Sequence, residues 1–540
     1  MKKTLVLLLC GVLMALLFAA CGNGGSDDGH EEITIWFPSD PNDFFASHSD
    51  NPIVQYLNER FNVTITFEQP ATGTEGESMS LMFATGQTTD LIFTPFFGGS
   101  IEQLHEDGVI LDLYEYMDYM PNLRARMEAS PELRRWLLDD EGRMLGFIGM
   151  NTMPGRQWSG LAYRRDILEI MTDGNIQFPS GNDEPVTIAD WDYMLPLFQE
   201  FFRDIGLTNY APLLIPHNGM LPFGILQSGF GFAGNQFYVY NGVVSHGFLD
   251  DGLYNFLTTM NRWWNEGFID PDFAGRVGEI FFLGAAELAF GGAAGIRTSL
   301  YIHLDDALSM PEHGLYMDVH PMRNPVYEGV SPTRVLQRSG GTYEGLLFMV
   351  ASSTQNVPRL LSIIDFLYSD EGSKIAHLGL TYEQIPEADT QYRQHLPQGA
   401  WWFEGNEIVL NPDLTTVGGH IDHVPFTGQR LPHLARGDIT NDMAPEVAIN
   451  ADRVWAFYDS PNNARGLPGA LSLSVEDDRF VSDMSAQLND FVDAMIPRFI
   501  MGAEAITQEA MADFRQQVLD FGMSRAIEIQ QEAYDRFAAR

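Results

Sequence analysis

Several large aromatic side chains stand in glycine-flanked segments that the sequence pattern predicts to be loops. Their flat faces can stack on the C–H face of a sugar ring, and planar polar groups beside them can bridge its hydroxyls. The candidates are Trp158, Tyr343, Glu344, Trp401 and Trp402. Trp136, Trp263 and Trp264 lie in helical patterns instead, so we expect them in the core. Packing inside the protein is the alternative for each loop aromatic.

Metal and catalytic motifs are weakly represented. His420 and His423 form the pair His-Ile-Asp-His, but the pair lacks a third ligand and the spacing typical of a zinc site. A nucleophile elbow, a phosphate-binding loop and a zinc-helix motif are absent from the sequence. Carboxylate pairs are common in a chain with 73 acidic residues, so their occurrence does not indicate glycosidase chemistry. We expect no metal, no cofactor and no catalysis.

The N-terminus predicts export. Lys2 and Lys3 precede an apolar run over 5–20, which ends in two alanines before Cys21. This pattern is typical of a secretory signal, and the run is short for a membrane span. The segment resembles a bacterial lipobox, which predicts a signal peptide over 1–20, lipid attachment at Cys21 and a flexible tether over 21–32. The alternative is that Cys21 is an incidental residue beside an ordinary cleavage site.

Size and charge narrow the class of protein. Removal of 20 residues from 540 leaves 520, which is more than one hydrophobic core usually holds, so two lobes or more are expected. The formal charge of −42 disfavours nucleic acid and anionic membranes as partners. Cys10 lies in the signal, so the mature chain has one thiol and cannot form an internal disulfide. We expect a globular monomer on the outer face of the cell membrane.

The mature chain begins with alternating strand and helix patterns. Ile33, Ile35 and Phe37 alternate as in a strand, and Asn51-Pro52 is typical of a helix start. Further patterns predict a strand over 63–67, a helix near 80–84 and a short strand over 90–93. This order favours an α/β fold with a largely parallel sheet. Helices are predicted around 360–367 and 511–521.

Several segments, in family order, resemble the family 1 extracellular solute-binding proteins of bacterial ABC sugar importers. They are NVTI at 62–65, MFATGQTTDLI at 82–92, YRRDIL at 163–168, WNEGFIDPDF at 264–273, IDFLYSDEGS at 364–373, FIMG at 499–502 and EAYDRF at 532–537. The resemblance implies a type II binding-protein fold, with two α/β lobes, a hinge and a ligand cleft between the lobes. Such a protein delivers its ligand, here expected to be an oligosaccharide, to permease subunits.

The resemblance also implies domain bounds. The first lobe is expected over 33–160 with a return segment over 338–380. The second lobe is expected over 161–337 and over 381–540, where the C-terminal helices lie.

Site residues follow from the sugar-binding branch of the same family. That branch places polar contacts at the positions of Ser39 and Asp40, polar and stacking contacts at Thr94, Phe96 and Phe97, and an aromatic of the other lobe at Phe223. Where the branch carries a tryptophan turn, this chain has a glycine-rich segment followed by Arg297, which is expected to bind a hydroxyl or an acidic sugar, or to lie at the surface. The calcium loop of some relatives is missing from the sequence near 199–216.

Two alternatives remain open at this point. The first is a secreted polysaccharide-active enzyme, and the second is the same fold binding a peptide or another small solute. Turnover of a polysaccharide would distinguish the first from a binding protein.

Overall fold

The computed structural model describes most of the chain beyond the N-terminal segment. The described residues are 31–38, 47–217, 222–276, 286–301, 303–304, 318–334, 341–387, 393–394, 398–405, 407–411, 431–440, 445–460 and 462–540. Within them, none of the helices is long and apolar enough to cross a membrane.

Strands and helices are named in chain order. The strands are β1 (Glu31–Trp36), β2 (Val63–Glu68), β3 (Leu91–Phe93), β4 (Phe147–Asn151), β5 (Ser159–Arg164), β6 (Ala211–Leu214), β7 (Phe237–Tyr240), β8 (Val243–His246), β9 (Ala294–Leu300), β10 (Val319–Met322), β11 (Tyr343–Val350), β12 (Trp401–Glu404), β13 (Glu407–Leu410), β14 (Leu434–Ala435) and β15 (Arg465–Gly466). The helices are α1 (Pro52–Phe61), α2 (Glu75–Thr85), α3 (Ile101–Glu106), α4 (Pro121–Ala129), α5 (Pro131–Leu137), α6 (Arg165–Met171), α7 (Ile188–Asp204), α8 (Gly252–Asn265), α9 (Ala286–Ala289), α10 (Val357–Leu367), α11 (Asp370–Leu378), α12 (Gly437–Thr440), α13 (Glu446–Trp455), α14 (Val475–Ile500), α15 (Gln508–Asp520) and α16 (Met523–Ala539).

The first lobe is built on a six-stranded sheet in the order β14-β4-β11-β3-β1-β2. Strand β1 pairs in parallel with β2 and β3, and Ile33 lies opposite Ile65. Asn51 caps α1, its side chain accepting a hydrogen bond from the Ile53 amide at 2.9 Å, and Pro52 occupies the first turn. The strands and the helix predicted for residues 33–93 around Asn51-Pro52 are therefore confirmed.

A buried carboxylate fixes one helix of this lobe. Asp365 of α10 accepts hydrogen bonds from the Leu123 amide at 2.9 Å and from the side-chain amide of Asn122 at 2.7 Å. These groups begin α4, whose first amides have no partner within the helix. Asp365 thus joins two helices that cover the sheet.

The second lobe is built on a four-stranded sheet in the order β10-β5-β9-β6. A capping box starts α7, since Thr187 caps the helix and Asp190 reciprocates. Trp191 and Trp263 stack in the core with ring centroids 5.8 Å apart, as expected for Trp263. The C-terminal helices α14 and α15 pack on the same core, which confirms the helix predicted around 511–521.

Within the described residues, the chain passes between the lobes three times. The crossings join β4 to β5, β10 to β11, and β14 to α13. The last of these corrects the expected division at residue 380. Trp401 and Leu434 lie in the first-lobe core, and β14 pairs with β4 because Leu434 lies opposite Met150. The first lobe therefore keeps the chain through Ala435.

Candidate ligand-binding cleft

The strand directions bring two sheet edges together at the crossings. In the first lobe, β1 and β3 run toward the sheet edge at which β11 begins, because β3 is parallel to β1 and antiparallel to β11, with Phe93 opposite Phe348. In the second lobe, β9 and β10 end where β5 begins, as shown by the pairs Ser159 with Leu300 and Leu161 with Met322. Ligands of open α/β sheets bind beyond the carboxyl ends of strands. These two edges are therefore the walls of the candidate cleft.

The first-lobe wall contains a cavity of about 200 Å³ between β4, β11 and β14. Its polar lining includes Asn151, Glu344, His377 and His433. Glu344 needs a glycine beside it, since a Cβ atom at Gly149 would lie 2.9 Å from its Oε2. The cavity is smaller than the roughly 300–1,000 Å³ of pockets that enclose drug-sized ligands, so it is too small to enclose such a ligand by itself.

His433 is a neutral group of this cavity. Burial lowers its pKa below the ordinary value, although the Leu431 carbonyl, 2.9 Å from its Nδ1, raises it. A neutral imidazole can donate at one nitrogen and accept at the other. With the carboxylate of Glu344, His433 suits hydroxyl recognition.

Asn151 ties the cavity to the first crossing. Its Oδ1 accepts hydrogen bonds from the Gly437 amide at 2.9 Å and the Met153 amide at 3.3 Å. Thr152 donates to Asp438 at 2.6 Å. The pKa of Asp438 lies well below its usual range, and the largest cause is the hydrogen bond that Arg436 donates to its carboxylate. The first and third crossings are thus held side by side at the cleft floor.

The second-lobe wall presents two exposed aromatic rings. Trp158 directly precedes β5 and is 44% exposed, while Phe457 follows α13 and is 51% exposed. Arg323, the residue after β10, places its guanidinium carbon 3.4 Å from the centroid of the Phe457 ring. Gln157 holds this region to the first crossing by donating to Asp459 at 3.0 Å.

The residues after β3 divide into exposed and buried positions. Phe96 is 40% exposed and lies edge-on to Trp36, with centroids 6.2 Å apart. Phe97 is half-buried against Phe83. Thr94 is buried, and its hydroxyl donates to the Leu346 carbonyl at 2.7 Å. The expected ligand contact at Thr94 is therefore corrected: its hydroxyl joins β3 to β11.

Trp401 is a second correction. The indole is only 4% exposed, donates its N–H to the Gly379 carbonyl at 2.9 Å, and packs in the first-lobe core. Its neighbour Trp402 is half-buried in the β12–β13 hairpin. Flanking glycines suggested a loop, but the chain forms β12 here, and Trp401 at its start packs in the first-lobe core.

Two further expectations change in position. Tyr343 begins β11 instead of lying in a loop, and it packs against Trp136 at 6.0 Å. Arg297 is buried in the middle of β9, where it contacts Phe290 and donates to the His303 carbonyl at 3.4 Å. Burial and the charge of Arg164 lower the pKa of Arg297 to about 10. Arg297 therefore lies neither at the surface nor at the sheet edge.

Other candidates lie outside the described residues. These are Ser39, Asp40, His420 and His423, and also Cys21. The backbone of Phe223 belongs to a 3₁₀ segment over Pro222–Phe230, but its side chain is outside the description. In the described part of the chain, no three His, Cys, Asp or Glu side chains are grouped as metal ligands.

Sequence reasoning missed Arg323, Phe457 and His433. Phe457 had a weak signal, because the aromatic run that contains it ends at Ser460-Pro461, a typical turn. Arg323 and His433 had no signal in the sequence, since each lies at the cleft only because of how the adjoining strand, β10 or β14, pairs in its sheet.

The fold is that of two-lobed solute-binding proteins. The chain is similar to an HMO-binding solute-binding protein associated with an ABC transporter from Bifidobacterium longum infantis, with a TM-score of 0.74, 16% identity, and coverage of 94% of this chain and 99% of that one. It is also similar to an S. pneumoniae ABC-transporter substrate-binding protein in complex with kestose (TM-score 0.70, 17% identity, 94% and 99% coverage). An alginate-binding protein matches with a TM-score of 0.68, 15% identity, and 94% and 98% coverage. No family model and no curated protein matches the sequence.

Proposed function

We propose that the protein captures an oligosaccharide in the cleft between its lobes and delivers it to the permease of an ABC importer. The observation that carries the proposal is the exposure of aromatic rings at both cleft edges. Phe96 belongs to the first lobe, and Trp158 and Phe457 belong to the second-lobe edge. These rings are exposed to water at the edges where the two lobes meet, and a ligand bound between the lobes would cover them.

The energetics favour this use of the rings. Each exposed ring that a sugar face covers removes apolar surface from water, and burial contributes about 25 cal/mol per Å². Several such rings spread over two lobes suit a ligand longer than one sugar. Closure of the lobes then covers both faces of the ligand.

The fold supports the same role. The similar structures described above are named for binding HMO, kestose or alginate, and two of them are named with ABC transporters. We propose the corresponding role here, with binding and no turnover. We further propose export, lipid attachment at Cys21 and an extracytoplasmic location, as the N-terminal pattern predicts.

The test is a titration of the purified protein with a panel of oligosaccharides, followed by calorimetry and thermal melts. Trp158→Ala and Phe457→Ala are expected to lower affinity about tenfold to a hundredfold, as for the loss of about 1–3 kcal/mol of ring contact. Phe403→Ala is the matched control, because Phe403 is 55% exposed on the β12–β13 hairpin.

The outcomes separate the alternatives. Stabilisation by an oligosaccharide without product supports the proposal. Release of shorter sugars from a polysaccharide would favour the enzyme, and stabilisation by a peptide library alone would favour the other ligand class. Equal losses in Phe457→Ala and Phe403→Ala would remove Phe457 from the site.

A further inference from the structure

We propose that Arg323, held on the face of Phe457, binds a carboxylate of the ligand, so that the protein takes acidic saccharides that contain a uronic acid. The inference deepens the proposed function and rests on it. It assigns a charge to the ligand and a residue that reads this charge.

The guanidinium of Arg323 lies over the ring of Phe457. Its carbon lies 3.4 Å from the centroid of the Phe457 ring, which is stacking distance. Phe457 in turn lies edge-on to Tyr458, with centroids 5.1 Å apart. The ring therefore lies against the guanidinium and restricts its movement. A planar fork of N–H groups matches the two oxygens of a carboxylate.

Among the described residues, no carboxylate forms an ion pair with Arg323. Other arginines of this lobe are paired: Arg164 binds both oxygens of Asp166, and Arg262 binds Asp192. In a chain with 73 acidic and 31 basic residues, an arginine that forms no ion pair with a described carboxylate and lies beside an exposed ring is available for an anion.

A groove beside Arg323 leaves room for a ligand. Arg323 lines one end of a groove of about 620 Å³ between β10 and α13. Arg453 lines the same groove, seven residues after Glu446 on the helix and therefore about 10 Å from it. Asp318 lies at the opposite end of β10, about 16 Å along the chain from Arg323. The third acid of the lining, Glu184, lies 4.0 Å from His320, and Arg323 follows the end of β10 that faces the cleft.

The overall charge does not contradict an acidic ligand. The chain carries a formal charge of −42, but screening in physiological salt limits exposed charges to about 8 Å. A carboxylate bound to Arg323 therefore experiences the guanidinium that it contacts more strongly than acids beyond this distance. Arg297, the arginine expected from the sequence, is buried within β9 and has no such access.

The experiment compares acidic oligosaccharides with neutral counterparts. The probes are tetrasaccharides of galacturonate, of mannuronate, and of glucuronate alternating with a neutral sugar. Each is paired with its twin, the same tetrasaccharide with its carboxylates reduced to alcohols. The wild-type protein is expected to bind at least one acid about tenfold or more tightly than its twin, with a preference that declines as salt rises. Arg323→Gln should bind the acid and its twin equally. Arg323→Lys keeps the charge without the fork and should retain only part of the preference.

A matched variant controls for net charge. Arg479 is exposed at the start of α14 and does not line the groove or the first-lobe cavity, so Arg479→Gln makes the same charge change outside both and should keep the full preference. Equal binding of acids and twins by the wild-type protein, or a preference that survives in Arg323→Gln, overturns the inference. If neutral oligosaccharides bind while every acid fails, the proposed function stands and this inference falls. If no oligosaccharide binds, both fall.

Discussion

The Asp140 carboxylate accepts a hydrogen bond from Arg536 Nε at 2.7 Å and so connects the two lobes. Asp140 follows α5 of the first lobe, whereas Arg536 lies near the end of α16, whose earlier turns pack in the second-lobe core. Arg540 adds a second contact to Asp140 at 2.7 Å. The contact lies apart from the three crossings and provides a further connection between the lobes.

This pair predicts a pH-dependent contribution to stability. Partial burial alone would raise the pKa of Asp140, but hydrogen bonds from Arg536 and Arg540 outweigh burial and lower it. A lowered pKa means that the contribution is fully present above the unfolded pKa, near 4, and is lost as pH falls through the folded value. Asp140→Asn should therefore lower the melting temperature at pH 7, by the equivalent of about 1 kcal/mol or less. Melts from pH 7 to pH 3 should show the difference shrinking, and a constant difference would exclude this linkage.

Asp365→Ala should destabilise the first lobe. The substitution removes the acceptor of the Leu123 amide, which is buried at the start of α4. Leaving a buried donor unsatisfied costs about 1–3 kcal/mol. Urea unfolding measures the loss. Asn122→Ala removes only the side-chain donor and should cost less, so a larger effect of Asn122→Ala would contradict the capping role.

Gly149→Ala should weaken ligand binding. A Cβ at this position lies 2.9 Å from both Cβ and Oε2 of Glu344 and would push that side chain across the cavity. Gly155→Ala is the matched control, because Gly155 lines the same cavity and its Cβ would meet nothing within 4 Å. Calorimetry with the bound oligosaccharide should show a loss of affinity in Gly149→Ala alone. Similar affinities in the two variants would remove Glu344 from the site.

Trp401→Ala should reduce stability and leave ligand affinity unchanged. The indole is buried in the first-lobe core, and removal of a large core ring costs about 3–5 kcal/mol. Trp402→Ala should cost less, since Trp402 is half-buried and its N–H reaches Glu404 of the same hairpin. If Trp401→Ala lowers ligand affinity at a temperature well below the melting temperature of the variant, Trp401 contacts the ligand after all.

Cys21→Ala should release the protein from membranes. The signal pattern ends at this cysteine, and lipid attachment there is the predicted anchor. Detergent phase partitioning of the cell-derived wild-type protein and of Cys21→Ala is the measurement. The wild type should enter the detergent phase and the variant should not. Recovery of both in the aqueous phase would exclude lipidation.

The sequence by itself determined the local elements. Alternation at Ile33 and Ile35 predicts β1, and Asn51-Pro52 predicts the start of α1, because side-chain period and capping depend on neighbours along the chain. The order of these elements, together with the quoted family segments, also predicted the two-lobed fold. Export and the lipid anchor are predictions that depend on the N-terminal pattern alone.

Only the tertiary structure decided which side chains face the cleft. Arg323 and Phe457 are 134 positions apart, and they meet because β10 and α13 lie side by side on the second lobe. Trp401 and Trp158 both stand near glycines, yet one is covered by the first-lobe core and the other is exposed at a sheet edge. Burial and pairing between distant segments depend on strand register and helix packing, and these are properties of the folded chain that local sequence patterns do not contain.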